Sequence, residues 1–210
     1  MAPVGPSYLP GHAHADTLSF ELSVYGQRVM VNSGTSCYGS GLERQRQRGT
    51  AAHNTLAIDG QDSSEVWGGF RVARRAQVQT LGIKETAGGV HVLASHDGYH
   101  RLSGRNLHRR NWLISDESLV IEDEVTGKFD RAEIRFHLHP AITVLDTSTD
   151  KVSLRLSEGR VVEVLVEDGR LSVERTTWHP YFGVSMPNTC LVVAVTASKV
   201  RTSIKWGEGG

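Results

Sequence analysis

Residues 10–33 read PGHAHADTLSFELSVYGQRVMVNS, and their periodicity sets the fold class. Leu18, Phe20, Leu22 and Val24 fall on one parity, with Thr17, Ser19, Glu21 and Ser23 on the other. A period of two belongs to a strand with one buried face. Tyr25-Gly26-Gln27 supplies a turn and Arg28 to Val31 a returning strand, so the stretch predicts a hairpin. Carried backwards, the apolar parity takes in His12, His14 and Asp16. Two imidazoles and a carboxylate on the core side of a strand are an unusual load, and they mark a candidate site.

Downstream the same period recurs between evenly spaced turns. Gly88-Gly89, Asp97-Gly98, Ser115-Asp116-Glu117, Gly127-Lys128, Glu158-Gly159 and Asp168-Gly169 punctuate the chain. The segments between them predict strands over 90–95, 106–114, 119–124, 132–138, 152–156, 161–166 and 171–176, with 190–196 and 202–206 closing the chain. No helix of three turns is predicted, and Ser33 to Gly49 reads as irregular. Many short strands predict an all-β fold, an antiparallel β-sandwich. Without an internal repeat or a low-complexity tract, residues 1–210 are expected to form one domain, with 1–10 as a tail or linker remnant.

At 210 residues the chain is long enough to bury a substantial core. Lysine plus arginine equals aspartate plus glutamate at 23 each, so overall charge gives no argument for a nucleic-acid partner. No apolar run approaches the roughly 18 to 20 residues needed to cross a bilayer. The opening MAPVGPSYLPG lacks the basic and apolar regions of a signal peptide. Only about ten residues precede the histidines, too few to build the other wall of a site. Met1 is therefore expected to mark a fragment of a longer protein. Cys37 and Cys190 are the only cysteines, and sequence leaves open whether they pair.

His12 and His14 lie at i and i+2, about 6.5 to 7 Å apart on one face of a strand. Two imidazoles so placed hold a metal when a third ligand arrives from elsewhere, and His53, ahead of a short strand, is the candidate. Asn32 and Asp16 are further oxygen donors, but whether Asn32 faces His14 depends on the hairpin register. Arg44, Arg46 and Arg48 alternate in ERQRQR, and six arginines face four acids between Glu43 and Arg75. Guanidinium forks suit carboxylate and sulfate, although a solvated loop explains the run as well. Trp67, in a glycine-flanked loop near Arg71, suits either a sugar face or the core. The remaining histidines, including the second pair His137 and His139, are expected to be structural or exposed, and Asp123 to lie on a solvent face. There is no G-x-S-x-G, phosphate loop or CxxC. A cupin-type reading of the H-x-H pair fails because Glu21 comes too late and on the polar face.

Three segments together, GHAHADTLSFELSVYGQRVMVNSGTSCY, ERQRQRGTAAHNT and DGQDSSEVWGGFRVARRA, resemble the heparinase II/III-like polysaccharide lyases. The likeness is to their C-terminal β-sandwich and is most specific over Pro10 to Ala76. It implies a bacterial lyase cleaving uronic-acid-containing polysaccharide by β-elimination, with an N-terminal (α/α) toroid that this chain lacks. By resemblance, His12 matches the active-site histidine, and His14 and His53 match ligands of a structural zinc. Asn32 stands where the family has an aspartate. An amide is a poorer zinc donor, so a metal-free hydrogen-bonded cluster stays open beside the zinc. Arg44, Arg46, Arg48, Trp67 and Arg71 are the expected contacts to an acidic polysaccharide. The family's other catalytic groups lie on the toroid, so this chain alone is expected to be inactive. A periplasmic or secreted location is expected for the full-length protein. The competing reading is a non-catalytic domain that binds acidic glycan.

Overall fold

The computed structural model describes residues 4–6 and 8–207. What was expected of Met1 and the tail therefore lies partly outside the described residues. Among the described residues sixteen strands follow in chain order: β1 Leu22–Val24, β2 Gln27–Met30, β3 Leu56–Ile58, β4 Val66–Trp67, β5 Arg71–Val72, β6 Val78–Thr86, β7 Gly89–His96 and β8 Leu107–Ile114, then β9 Ser118–Thr126, β10 Ala132–His137, β11 Thr143–Thr147, β12 Lys151–Arg155, β13 Val161–Glu167, β14 Gly169–Trp178, β15 Met186–Val195 and β16 Lys199–Lys205. One α-helix, α1 Leu42–Arg48, and a 3-10 turn at Thr50–Ala52 sit between β2 and β3. The strands predicted from alternation are all present. β4, β5, β6 and β11 are additions to them.

An eight-stranded sheet, β11-β12-β13-β16-β9-β8-β7-β6, faces a four-stranded one, β14-β15-β10-β3, and their ladders are antiparallel. This is the predicted sandwich. β9 and β13 bury alternate residues along their length. Leu119, Ile121 and Val125 of β9 and Val162 and Val164 of β13 meet Ile134 and Phe136 of β10 and Leu191 and Val193 of β15 in one apolar cluster. Burial of each such side chain is worth about 1.5 to 3 kcal/mol.

The hairpin is as read, β1 and β2 joined by Tyr25-Gly26 at φ of 51° and 75°. Positive φ at both central residues is the two-residue turn that matches strand twist. The first strand is much shorter than predicted, however. Residues 10–21 are irregular, because their backbone groups pair with side chains rather than with a neighbouring strand. Arg44 donates to the Gly11 carbonyl, Arg48 to Ala13, Thr50 to Ala15 and Arg110 to Leu18. Leu18 takes φ of 64°, and this breaks the parity. Ala13, Ala15 and Thr17 consequently face the core, while His12, His14 and Asp16 face away from it.

Helix α1 corrects the reading of 33–49 as irregular. Leu, Glu, Arg and Gln are good helix formers. Glu43 in the first turn and Arg46 and Arg48 in the last complement the helix dipole. On a helix the alternating arginines separate: Arg44 and Arg48 share a face at i, i+4, and Arg46 takes the other.

Candidate functional site

A groove of about 540 Å³ runs along residues 9–21, walled on one side by Val78 of β6 and carrying His12, His14, Asp16 and Asn32 in its lining. His12 is exposed, and its Nδ1 lies 3.2 Å from the Tyr38 hydroxyl. Tyr38 in turn stacks near Phe70 and Phe182, with centroids 6.0 and 5.3 Å away. Tyr38 was not singled out by pattern. It follows an irregular stretch with no period, and only the fold brings it to His12.

His14 stands one step inward. Its Nδ1 is 3.3 Å from His53 Nε2, and its Nε2 is 3.2 Å from both Arg44 Nη1 and Thr35 Oγ1. Burial, with Arg44, Arg48 and His12 nearby, pulls the His14 pKa down to about 4. His53 is fully buried, and burial, followed by His14 and His137, pulls its pKa down as well. Both rings are therefore neutral near pH 7. A guanidinium only donates, so His14 Nε2 accepts and the His14 proton resides on Nδ1, pointing at His53 Nε2. His53 Nδ1 then carries its own proton and is buried without a partner among the described residues. Burial alone raises the Asp16 pKa above the usual carboxylate range, against a backbone hydrogen bond of its own that lowers it.

Whether these residues fit the zinc implied by the resemblance turns on the same atoms. Two nitrogens 3.3 Å apart match two ligands at about 2.0 to 2.1 Å from a tetrahedral ion. The rest of the donor set does not. Ligation at His14 Nδ1 moves its proton to Nε2, against the Arg44 donor. The Asn32 Oδ1 accepts from the Gly34 N–H at 3.0 Å and makes no hydrogen bond to either imidazole. Among the described residues no three His, Cys, Asp or Glu side chains converge on a metal position. As arranged, the cluster does not fit the ion.

The five expected substrate contacts divide. Arg44 and Arg48 are 1% and 0% exposed, and both serve as internal braces. Arg44 reaches Gly69 and Gly11 carbonyls as well as His14 and Thr35, and Arg48 reaches Ala13, Trp67 and Arg71 carbonyls. Arg46 is exposed and pairs with Glu43 at 2.6 Å, while bonding Thr177 at 2.7 Å. Trp67 is half exposed, with the Arg71 guanidinium 4.7 Å from its ring centroid. These two remain on the surface.

Two features escaped pattern reasoning. Asn54 is a buried hub: its amide donates to the Phe20 and Val31 carbonyls and accepts from the His137 N–H. Asp123 is buried rather than on a solvent face. Its carboxylate takes a two-pronged bond from Arg110 at 2.7 and 3.0 Å and a bond from His108 at 2.6 Å, with His96 3.1 Å beyond. Arg110 also donates to the Asn54 carbonyl, tying the large sheet to the residue next to His53. Asp123 shares its parity with Leu119, Ile121 and Val125, which was the signal available in the sequence. Both cysteines are free, and burial pushes the Cys190 thiol up to about 12.

Fold and site together define a β-sandwich whose loop end carries an open, histidine-lined groove braced by buried arginines. No curated protein matches the sequence. The chain nevertheless belongs to the heparinase II/III-like, C-terminal family, whose profile matches residues 1–207. Among solved structures it resembles heparinase III at a TM-score of 0.74 and 21% identity, covering 95% of this chain and 31% of that one. The heparan sulfate lyase HepC from Pedobacter heparinus is similar at a TM-score of 0.73 and 18% identity, covering 95% and 32%. The chain thus spans about a third of the length of the structures it matches. Among the described residues no helix is long and apolar enough to cross a membrane.

Proposed function

We propose that this chain is the C-terminal β-sandwich of a bacterial lyase that cleaves uronic-acid-containing polysaccharide by β-elimination, with His12 as its active-site contribution. The observation that carries the reading is His12 itself, exposed in an open groove with Nδ1 held by Tyr38 and Nε2 left for a ligand. Elimination requires removal of a weakly acidic proton beside a carboxylate, and neutralising that carboxylate stabilises the developing anion. An imidazole at the groove rim donates to a carboxylate or moves a proton at Nε2. His14, Thr35 and Arg44 act behind it by fixing the loop, and Asp16 is a carboxyl kept protonated more readily than usual. The remaining acid–base groups and most sugar contacts belong to a helical domain outside this chain. The whole protein is periplasmic or secreted, where such polymers lie.

Assay of the 210-residue chain on alginate and heparan sulfate is expected to give no unsaturated product, whereas full-strength activity overturns the division of the site. In the longer lyase, His12→Ala is expected to cost at least about 100-fold in elimination rate, the usual worth of acid–base catalysis. An unchanged rate sinks the role of His12 and favours the second reading, a non-catalytic glycan-binding domain. That reading draws on the exposed Tyr38–Phe70–Phe182 rings and the Trp67–Arg71 stack, which suit sugar faces.

The histidine pair in this chain works without an ion, held by Arg44 where zinc was expected. Dialysis against EDTA is then expected to leave the thermal midpoint unchanged, while a fall of about 5 °C or more means that a bound ion holds the pair.

A further inference from the structure

The groove that presents His12 holds none of the arginines expected to contact substrate, and no described residue in its lining is a lysine or an arginine. Besides its imidazoles, the titratable side chains along it are the carboxyls of Asp16 and Glu21. Arg44, Arg48 and Arg110 bond lining residues, but they do so from buried positions behind them. Arg28 is matched by Glu21 at 2.7 Å, and Arg75 bonds the Gly5 and Pro6 carbonyls from outside the lining. A sulfate or a second carboxylate set in this groove therefore meets carboxylates with no counter-charge beside them. Like charges brought together in one site cost affinity.

Hydroxyl groups suit the same lining, since each donates to a carboxylate and accepts from an N–H. Asn32 supplies the N–H. Its Oδ1 is taken by the Gly34 N–H at 3.0 Å, while its Nδ2 makes no hydrogen bond among the described residues and is not buried. Leu9, Phe20 and Val78 add apolar surface for the C–H faces of a sugar ring. We propose that the groove binds an uncharged sugar unit next to the uronate at His12, so that the chain serves polymers in which uronate alternates with an unsulfated neutral or N-acetylated sugar. The inference rests on the lyase reading for the uronate itself and names the neighbour of that uronate. Asp16 and Glu21 are the specificity residues: they accept from hydroxyls and turn away sulfate or a second uronate. Asn32, at the position where the resembled family has an aspartate, gives the sugar a donor in place of a third carboxylate.

Titration of the chain with three tetrasaccharides tests it: one alternating glucuronate with N-acetylglucosamine, one with the same backbone carrying N- and O-sulfates, and one of mannuronate alone. Affinity is read from the side-chain amide resonances of Asn32. The unsulfated alternating probe is expected to shift them and to bind about tenfold or more tightly than either of the others. Glu21→Gln gives up only an exposed ion pair and so keeps the fold. It is expected to narrow the preference severalfold, and adding Asp16→Asn to erase most of it. Equal binding of the sulfated or the mannuronate probe, a preference untouched by these substitutions, or binding that leaves Asn32 unmoved each overturns the proposal. The elimination rate of His12→Ala in the longer lyase is a separate readout. Loss of that rate without any preference among the probes refutes the groove assignment alone, whereas a preference beside an unchanged rate keeps the subsite and refutes the catalytic role of His12.

Discussion

Arg48 has no exposed surface, yet it is a cation with no carboxylate in hydrogen-bonding contact. Burial lowers its pKa, as does the nearby Arg44, and Asp62 opposes them. What holds it is a set of carbonyls, Ala13 of the irregular 10–21 segment and Trp67 and Arg71 of the β4–β5 hairpin. Arg48→Met fills similar space but leaves those carbonyls unmet. It is expected to cost about 3 kcal/mol in urea unfolding, since each buried unsatisfied group costs about 1 to 3 kcal/mol. Arg48→Lys is expected to recover little, because one ammonium does not span three acceptors fixed around a planar fork. A loss below about 0.5 kcal/mol, the level of an ordinary surface change, refutes the bracing role.

At the scale of elements, the segment after β2 is pinned to the end of β14 by Gly34. Its φ is +76°, and a Cβ there would lie 1.9 Å from the His179 carbonyl oxygen. His179 donates its backbone N–H to Ser33, so the two strands run in close register at this point. Gly34→Ala forces them apart and is expected to destabilise by more than about 2 kcal/mol, from positive φ and close approach together. It also moves Thr35 away from His14, which changes the His14 ring-nitrogen shifts. Unaltered stability and shifts contradict this account. The same elements show where sequence reading succeeded and where it stopped. Alternation located the β13 and β15 strands because their inner faces, Val162, Val164 and Val166 in one and Leu191 and Val193 in the other, are apolar. It misread residues 10–21, since nothing local announces that Arg44, Arg48, Thr50 and Arg110 take over the backbone pairing there. The sequence reading also left R-x-R-x-R in an irregular loop, when a short helix turns two of those arginines inward. Of the candidate site, the closeness of His14 and His53 was legible, whereas Tyr38 beside His12 and the bonding of the Asn32 amide to Gly34 depend on loop geometry.

Over the whole molecule, the sandwich buries neutral imidazoles on both sides of its core, and this sets its response to acid. Burial, first among the causes, lowers the pKa of His96, His108 and His137, the last to about 4. In the unfolded chain each titrates near 6.5. Between these values the unfolded state binds protons that the native state refuses, so stability rises with pH. The contribution of each ring is complete above pH 6.5 and is lost as pH falls toward the native value. The slope approaches about 1.4 kcal/mol per pH unit per histidine. Asp123 adds a second stage. Burial would raise its pKa, but Arg110 and His108 together hold it below the usual value, so its contribution is lost only beneath the ordinary carboxylate range. Urea midpoints measured from pH 7.5 downward are therefore expected to hold steady to about pH 6.5 and then fall steeply toward pH 4. His137→Asn, which keeps a donor for the Ala51 carbonyl but carries no titrating ring, is expected to lower stability at pH 7.5 and to flatten the slope by roughly one histidine's share. If the slope below pH 6.5 is the same in both proteins, His137 does not stay neutral in the folded sandwich.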